Sequence, residues 1–179
     1  MNLAEAIYKI KDKDELAFET IYKETSSSVY AIIKTIVKDH NITEDLMQDT
    51  YIKMIKSINS YNTKQKFKTW LLTIARNTAI DWYRKTKKEM LVDVSESEYL
   101  FPSTKSTVDY EYNANYFLSL LDDEEKEVVV LYAMEGFKHR EIAKIIDKPV
   151  GTVTWIYNKA MKKLREHSEG VRLWKIKIS

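Results

Sequence analysis

Three polar side chains that could bind a basic protein surface are spaced along one predicted helix. Asp45, Gln48 and Asp49 recur at intervals of three and one residues, which places two carboxylates and an amide on one helix face. Such a face can pair with Arg and Lys across an interface, and Ile52 extends it by a further turn. An ordinary solvated helix face would have the same pattern, so the spacing alone identifies no partner.

A second set of residues near the C-terminus has the pattern of a helix-turn-helix. A short helix is predicted from Lys138 to Ile146, followed by a turn at Asp147 and a longer helix from Pro149 to about Glu166. The turn position requires positive φ, which Asp tolerates better than most residues. A three-helix bundle without DNA is possible, but basic residues dominate the outer face. The residues expected to face DNA are Thr152, Thr154, Trp155, Asn158, Lys159 and Lys162.

Residue types that carry catalysis or bind metals are absent or unsuitably spaced. His40, His139 and His167 do not have the spacing of a ligand set, no glycine-rich phosphate loop occurs, and Cys is absent. An enzyme is therefore the least supported class of function. We expect neither a catalytic site nor a cofactor.

The composition predicts long helices around packed cores. Only 3 Gly and 2 Pro occur in 179 residues, which argues against a β-sandwich or barrel, and 44% of the residues are apolar. The N-terminus is amphipathic and lacks the apolar core of a signal peptide, and no run is long enough to cross a bilayer. We expect a soluble cytoplasmic protein that does not insert into membranes.

Charge is distributed unevenly along the chain and suggests two lobes. Residues 62–90 contain eight Lys and Arg against two acids, whereas residues 91–127 contain two against ten. Ordinary solvated helix faces could account for this charge pattern by themselves, although two basic lobes would also suit two polyanion contacts. Ser, Thr, acids and Pro102 give the intervening segment linker composition. We therefore predict domains at residues 1–90 and 110–179, joined by a linker at residues 91–109.

Helical periodicity in the first lobe predicts four helices. Two lie between Leu3 and about Lys38, with Leu16 among the residues expected to face inward. The third is expected to open at a capping pair formed by Asn41 and Glu44, with Ile55 in its buried stripe. The fourth is predicted over residues 67–88. In the second lobe, Asp122 with Glu125 resembles another capping pair at the start of a helix.

Two motifs in this order resemble a known family. Asp45-Leu-Met-Gln-Asp-Thr-Tyr51 and Trp70-Leu-x-x-Ile-Ala-Arg-Asn-x-x-x-Asp-x-x-Arg84 resemble region two of bacterial RNA polymerase sigma factors. The segment from Leu121 to Arg165 resembles sigma region four. The chain is too short for the other sigma regions, which points to the extracytoplasmic-function (ECF) group. The resemblance implies an all-α fold in which a region two helical bundle and a region four helix-turn-helix are joined by a flexible linker.

The resemblance also implies partners and roles for particular residues. Asp45, Gln48, Asp49 and Ile52 would dock on the coiled coil of the β′ subunit of core RNA polymerase, whose β subunit is a further partner. Promoter DNA and an anti-sigma factor are the other implied partners. Region four would read the minus-thirty-five element through the outer face described above. The residues implied in recognition and melting of the minus-ten element are Tyr61, Asn62, Lys64, Lys66, Arg76, Asn77, Asp81, Arg84, Lys85 and Lys88.

Three departures from the family pattern concern the helix-turn-helix. Lys138 stands where a Ser or Thr cap is usual, Asp147 replaces the usual turn Gly, and Trp155-Ile156 stands where a Ser-Arg pair is frequent. The last change bears on base-specific recognition by this lobe. The alternative function is a stand-alone helix-turn-helix regulator, which would have no need of the face formed by Asp45, Gln48 and Asp49.

Overall fold

Every regular element of the described chain is a helix. The computed structural model describes residues 1–92 and 116–167. Within those ranges the expectation of an all-α fold is confirmed. The first lobe also contains short 3-10 turns at Ile10–Asp12 and Ile58–Ser60. Its four helices are α1 (Leu3–Lys9), α2 (Glu15–Val37), α3 (His40–Ser57) and α4 (Phe67–Val92).

Side-chain caps fix where α2 and α3 begin. The Asp14 carboxylate accepts the N–H of Ala17 at 2.9 Å at the start of α2. The Asp39 carboxylate does the same for Ile42 at 2.9 Å at the start of α3. The prediction that Asn41 caps α3 is therefore wrong. Lys38 ends α2 with a φ of 61°, and the next residue, Asp39, is extended and becomes the N-cap of α3.

Helix α2 is the centre of the first lobe and packs against α1, α3 and α4. Ile21, Ile32 and Ile33 on α2 are fully buried. Two residues expected inside are instead at the surface: Leu16 is 58% exposed and Ile55 is also exposed. In each case an adjacent residue, about 100° away around the helix, takes the core position instead. For Leu16 this residue is Ala17.

The described part of the second lobe contains three longer helices and a short helical stretch at residues 116–119. The longer helices are α5 (Asp123–Val129), α6 (His139–Ile145) and α7 (Val150–Glu166), and a π-helical turn at Val130–Met134 continues α5. The predicted capping pair at the start of α5 is confirmed, since Asp122 accepts from the N–H of Glu125 at 2.9 Å and Glu125 accepts from Asp122 at 3.0 Å. The chain then turns at Gly136, where φ is 72°.

Helices α6 and α7 form the predicted helix-turn-helix. Asp147 has φ 52°, as the turn position requires, and Ala143 is buried where the two helices approach each other. Pro149 is the N-cap of α7, one position before the first-turn site predicted for it. Lys138 contributes no side-chain cap to α6, but the Glu141 carboxylate accepts its backbone N–H at 2.9 Å.

The two lobes are in direct contact. Helix α4 packs against α6, and α2 packs against α5 and the π-helical turn. One continuous apolar cluster includes Ile32 and Leu71 from the first lobe and Val128, Leu131 and Ile142 from the second. Two helical lobes are thus present as expected, but they share a core. The predicted linker lies outside the described residues except for residues 91–92, which belong to α4.

Candidate functional site

The face of α3 that carries the acids and the amide is open to solvent. Asp45, Gln48 and Asp49 are exposed, and Ile52 is 49% exposed although it is a large apolar residue. Their outward orientation follows from helical spacing, because Leu46, Met47, Thr50, Tyr51 and Met54 occupy the buried side of α3. Within the described parts of the chain, no salt bridge or side-chain hydrogen bond involves the acids of this face. Two carboxylates therefore remain available for an external cation.

An apolar groove of about 850 Å³ lies beside this face, between α2 and α3. Gln48 and Ile52 belong to its wall, so the predicted docking residues border a concave surface as well as a charged one. Sequence reasoning missed the residues that α2 contributes, although their aromatic character was a visible signal. The remaining apolar and aromatic lining residues are Phe18, Tyr22, Tyr30, Met47, Tyr51 and Ile55.

The floor of the groove is held by a buried hydrogen-bond chain. Tyr51 Oη lies 2.9 Å from Thr25 Oγ1, and Thr25 in turn donates to the carbonyl oxygen of Ile21 at 2.7 Å. Burial raises the pKa of Tyr51 to about 12, although the Thr25 hydrogen bond opposes the shift. The Tyr51 ring also contacts those of Phe18 and Tyr22, with centroids 5.8 and 5.1 Å away. The groove is consequently preformed.

The loop before α4 is organised by two of the residues predicted to bind DNA. Tyr61 donates its hydroxyl to the carbonyl oxygen of Gln65 at 2.6 Å, and its ring packs against those of Phe67 and Trp70, with centroids 5.5 and 5.0 Å away. The Asn62 side chain accepts the N–H of Lys64 at 2.9 Å and forms a tight turn. Lys64 itself is exposed, so the loop presents a cation on a fixed backbone.

Helix α4 presents a polar stripe along its second half. Asn77, Asp81, Arg84 and Lys88 are all exposed and follow one another at intervals of four, three and four residues. Lys85 is exposed beside them. These five predicted DNA contacts therefore share one accessible side of the helix.

Arg76 is placed differently from the other basic residues of α4. Its guanidinium forms two hydrogen bonds to the carboxylate of Glu127 in the second lobe, Nε–Oε1 at 2.5 Å and Nη2–Oε2 at 3.2 Å. Only 15% of the Arg76 side chain and 7% of the Glu127 side chain are exposed. In this arrangement Arg76 is not accessible to DNA.

Further polar contacts join the lobes, and one of them involves another predicted DNA residue. Lys66 Nζ lies 2.7 Å from Glu141 Oε1. Burial raises the pKa of Glu141, but hydrogen bonds from Lys66 and from a backbone N–H outweigh it, so the net pKa is lowered. Lys38 pairs with Asp123 at 2.9 Å, and Ser28 donates to Glu135.

The outer face of α7 carries an aromatic residue flanked by polar ones. Trp155 is 63% exposed, and Asn158 and Lys162 follow it at intervals of three and four residues, also exposed. Lys159 Nζ lies 5.4 Å from the centre of the Trp155 ring, within range of a cation–π interaction. Ile156 is buried. In the unusual Trp155-Ile156 pair, Trp155 therefore lies at the surface and Ile156 lies in the core.

Lys159 is also paired with acids of its own lobe. Its Nζ lies 3.2 Å from Asp122 Oδ2 and 3.1 Å from Glu125 Oε1, and Lys163 lies 2.6 Å from Glu125 Oε2. Burial raises the pKa of both carboxyls, but their hydrogen bonds outweigh it and leave each pKa below its ordinary value. Sequence reasoning found Asp122 and Glu125 as caps but not as partners of these lysines.

The two threonines predicted on α7 are half-buried rather than fully exposed. Thr154 Oγ1 donates to the carbonyl oxygen of Val150 at 3.0 Å and lies 3.1 Å from Nδ1 of His139. Thr152 is half-buried in the first turn of the helix. Of the six predicted residues, Trp155, Asn158 and Lys162 are therefore the most accessible.

The described residues offer no cluster of metal-ligating side chains. None of the helices in residues 1–92 and 116–167 has the length and apolar character needed to span a bilayer.

Comparison with known protein families identifies both lobes. The model of Sigma-70 region 2 matches residues 21–89, and the model of Sigma-70, region 4 matches residues 117–166. The chain is 31% identical over 171 residues to the ECF RNA polymerase sigma factor SigX of Bacillus subtilis, covering 88% of this chain and 87% of the relative. It is 29% identical to SigM of the same organism, covering 74% of this chain and 83% of SigM. Similarity therefore extends across both lobes.

Solved structures of sigma factors have the same fold. The sigma factor RpoE, in complex with the anti-sigma factor NepR from Bartonella quintana, has a TM-score of 0.68 at 25% identity, over 83% of this chain and 94% of RpoE. CnrH, in complex with the cytosolic domain of CnrY, has a TM-score of 0.65 at 19% identity, over 90% of this chain and 93% of CnrH. From the two family matches, the relationship to SigX and the shared architecture, the chain belongs to the family of ECF RNA polymerase sigma factors.

Proposed function

We propose that this sigma factor docks on core RNA polymerase through the exposed face of α3 and the adjacent groove. The observation that carries the proposal is the coincidence of solvent-exposed acids with a preformed apolar concavity. Asp45 and Asp49 supply negative charge, while Gln48 and Ile52 border the groove. Interfaces commonly combine a central apolar contact with charged groups at the rim, where the charges steer association and fix register.

The chemistry of this surface suits a helical partner carrying basic side chains, and the coiled coil of the β′ subunit is the partner we propose. Arg side chains would pair with Asp45 and Asp49, and an apolar side chain would enter the groove beside Ile52. A preformed groove costs little ordering entropy on binding, and the Thr25–Tyr51 hydrogen bond beneath it keeps that cost low. The β subunit is proposed as the further contact of the second lobe.

We propose two promoter contacts, one in each domain. Residues 1–90 would bind the minus-ten element through the loop before α4 and the stripe from Asn77 to Lys88. Residues 110–179 would bind the minus-thirty-five element through the outer face of α7, and residues 91–109 would link the two domains. Both surfaces combine cations for phosphates with aromatic or amide groups for bases, as promoter recognition requires.

An anti-sigma factor is a further proposed partner. RpoE and CnrH, the structural neighbours described above, are each bound to an inhibitor or to the cytosolic domain of a second protein. The exposed apolar groove offers one surface for such a protein, and both classes of partner would then compete for α3. We propose the cytoplasm as the site of action because core polymerase and promoter DNA are located there.

The stand-alone helix-turn-helix regulator explains this chain less well. Such a regulator would leave the sigma region two match at residues 21–89 and the open acidic face of α3 without a purpose. The two possibilities make different predictions for binding to core polymerase in the absence of DNA. A regulator would bind DNA alone, whereas a sigma factor joins the core first.

The test is a core-binding titration with one charge reversed on α3. Asp49→Lys should weaken binding to purified core polymerase by about tenfold or more, because losing a charge pair and adding repulsion costs 2–5 kcal/mol at many interfaces. Gln48→Ala should weaken it less. Asp12→Lys is the matched control, since Asp12 is an exposed acid of the first lobe outside the groove. Equal affinity of Asp49→Lys and Asp12→Lys would refute the docking assignment.

A further inference from the structure

We infer that Trp155 recognises a thymine in the duplex bound by the second lobe, through contact with the C5-methyl group of that base. The inference rests on the proposed contact between the outer face of α7 and the minus-thirty-five element. It deepens that proposal, because it assigns one base and one chemical group to a residue that stands where Ser is frequent in the family.

Trp155 lies outside the apolar core of the second lobe. It is 63% exposed, whereas Ile156 and Ala160 of the same helix are buried. The aromatic packing of α7 is supplied by Tyr157, whose ring centroid lies 4.5 Å from that of Tyr132. A large apolar ring that faces water gains free energy when a partner covers it. Trp155 is therefore available to a partner without any loss of core packing.

Lys159 holds the Trp155 ring from one side. Its Nζ lies 5.4 Å from the centre of the ring, and the same ammonium group pairs with Asp122 at 3.2 Å and with Glu125 at 3.1 Å. These two acids are themselves fixed as the capping pair of α5. The cation is thus anchored to a second helix, which restrains the ring beside it. A restrained side chain loses less entropy on binding than a free one does.

The surroundings of Trp155 favour nucleic acid as its partner. Helix α7 contains four Lys and Arg residues and a single acid, Glu166 at its last position. Asn158 and Lys162 are exposed on the same stripe as Trp155, about one and two turns further along. An excess of cations binds a polyanion, and an amide beside them can pair with a base edge. The major groove of duplex DNA meets both requirements.

The position of Trp155 along α7 places it against base edges. It lies in the second turn of the helix, and the N-terminal residues of a recognition helix are those that contact bases. One turn earlier is Gly151, where an added Cβ would meet no atom within 4 Å. The surface in front of Trp155 is therefore bare, and a base pair can approach it closely.

The apolar character of the indole ring selects thymine among the four bases. In the major groove, the recognition pattern of G, C and A consists of hydrogen-bond donors and acceptors, whereas T adds a C5-methyl group. Contact between this methyl group and the ring buries apolar area on both partners, which is favourable. Trp155 therefore gives this chain a preference for T that does not depend on a hydrogen bond.

Deoxyuridine tests the inference, because it is thymidine without the C5-methyl group and forms the same base pair. The protein is used as holoenzyme with purified core polymerase, which first selects a promoter from a randomised duplex pool. Each thymidine upstream of the minus-ten element, in either strand, is then replaced singly by deoxyuridine. Binding titrations compare the natural protein with Trp155→Ala, Trp155→Phe and Asn158→Ala. Trp155 lies at the surface, so its substitution should leave the fold intact.

We expect at least one replacement to weaken binding of the natural holoenzyme about fourfold, the loss that corresponds to one buried methyl group. The same replacement should have no effect with Trp155→Ala, which lacks the ring. Trp155→Phe should keep part of the methyl dependence because an aromatic surface remains. Asn158→Ala is the control on the same helix face, and it should bind more weakly while keeping the full methyl dependence.

Equal methyl dependence in the natural protein and in Trp155→Ala would overturn the inference, as would an upstream element in which no thymine methyl group affects binding. Weaker binding of Trp155→Ala to core polymerase, with methyl dependence retained, would place Trp155 at a protein interface and would also overturn it. Failure of the natural holoenzyme to select any promoter with an upstream element would instead contradict the proposed function of the second lobe. The two failures are therefore distinguishable.

Discussion

Arg76 of α4 and Glu127 of α5 form a largely buried ion pair between the two lobes. The two hydrogen bonds that join them, at 2.5 and 3.2 Å, use both oxygens of the carboxylate and two nitrogens of the guanidinium. An arginine that the sigma motif assigns to the minus-ten surface is thereby held by an acid from the helix-turn-helix lobe. This ion pair connects the two lobes, while the outer face of α3, the stripe of α4 from Asn77 to Lys88 and the outer face of α7 remain exposed.

The apolar part of the docking surface can be tested at Ile52. Ile52→Asp should lower affinity for core polymerase by about tenfold, because a side chain that fills the centre of an interface is often worth more than 1 kcal/mol. Leu16→Asp is the control, since Leu16 is a comparably exposed aliphatic residue outside the groove. A binding titration with purified core measures both. Similar losses in the two variants would indicate a general effect of the added charge and would contradict a specific role for Ile52.

The hydroxyl of Tyr51 should matter for stability rather than for contact with a partner. Tyr51→Phe removes the hydrogen bond to Thr25 beneath the groove, and we expect a loss of about 1 kcal/mol in the free energy of unfolding. Tyr22→Phe, at an exposed ring of the same groove, should change it little. Urea denaturation provides the measurement. A larger loss for Tyr22→Phe than for Tyr51→Phe would show that the buried hydrogen bond is not important.

Two lysines of α7 should differ in the salt dependence of promoter binding. Lys162 has no acidic partner in the described ranges, so Lys162→Ala should reduce the slope of log K against log salt by about 0.9, the value for one phosphate contact. Lys159→Ala should lower affinity and slope together but by less, because Asp122 and Glu125 already neutralise that charge. Titrations of holoenzyme with promoter DNA at several salt concentrations measure both slopes. A larger change for Lys159→Ala would contradict this order.

The cluster of Asp122, Glu125, Lys159 and Lys163 predicts a pH range in which the stability of the second lobe is constant. The pKa values of Asp122 and Glu125 are lowered from their ordinary values of 3.8 and 4.5. Their contribution to the free energy of unfolding is therefore complete above those ordinary values, and it is lost as the pH falls through the lowered pKa values. The hydrogen bonds that Lys159 donates to Glu125 and Asp122 raise its pKa above 10.5, so its contribution to stability is complete below 10.5 and is lost at higher pH.

Urea unfolding followed from pH 2 to pH 11 tests this expectation. The midpoint should remain nearly constant at intermediate pH and fall on the acid side, with a smaller acid-side fall in Glu125→Gln. Glu124→Gln is the control, because Glu124 is exposed and lies outside the cluster. An acid-side fall in Glu125→Gln identical to that in the natural protein would remove Glu125 as a source of the pH dependence.

Local features of this protein were predictable from its sequence. The exposed face of α3 follows from a 3.6-residue period that places Leu46, Met54 and their neighbours inside. The capping pair of α5 and the positive φ of Asp147 follow from short-range backbone chemistry. Such features depend on residues within one or two turns, so tertiary structure does not need to be known.

Features that depend on contacts between distant segments were not predictable. Nothing in the sequence near Glu127 selects it, among ten acids in residues 91–127, as the partner of Arg76. That choice depends on how α4 meets the second lobe. The aromatic wall of the groove likewise requires α2 and α3 to be adjacent. Some local predictions were also wrong. The cap of α3 is one, because Asn41 and Asp39 are both suitable caps and the end of α2 decided between them.

Transcription in vitro by purified core polymerase on a promoter library tests the central claim most directly. We predict that adding this protein directs initiation at discrete start sites, that Asp49→Lys abolishes those transcripts at limiting concentration, and that Asp12→Lys retains them. Absence of start sites with the natural protein, despite active core enzyme, would contradict its assignment as a promoter-directing subunit. Undiminished initiation with Asp49→Lys would contradict docking through α3.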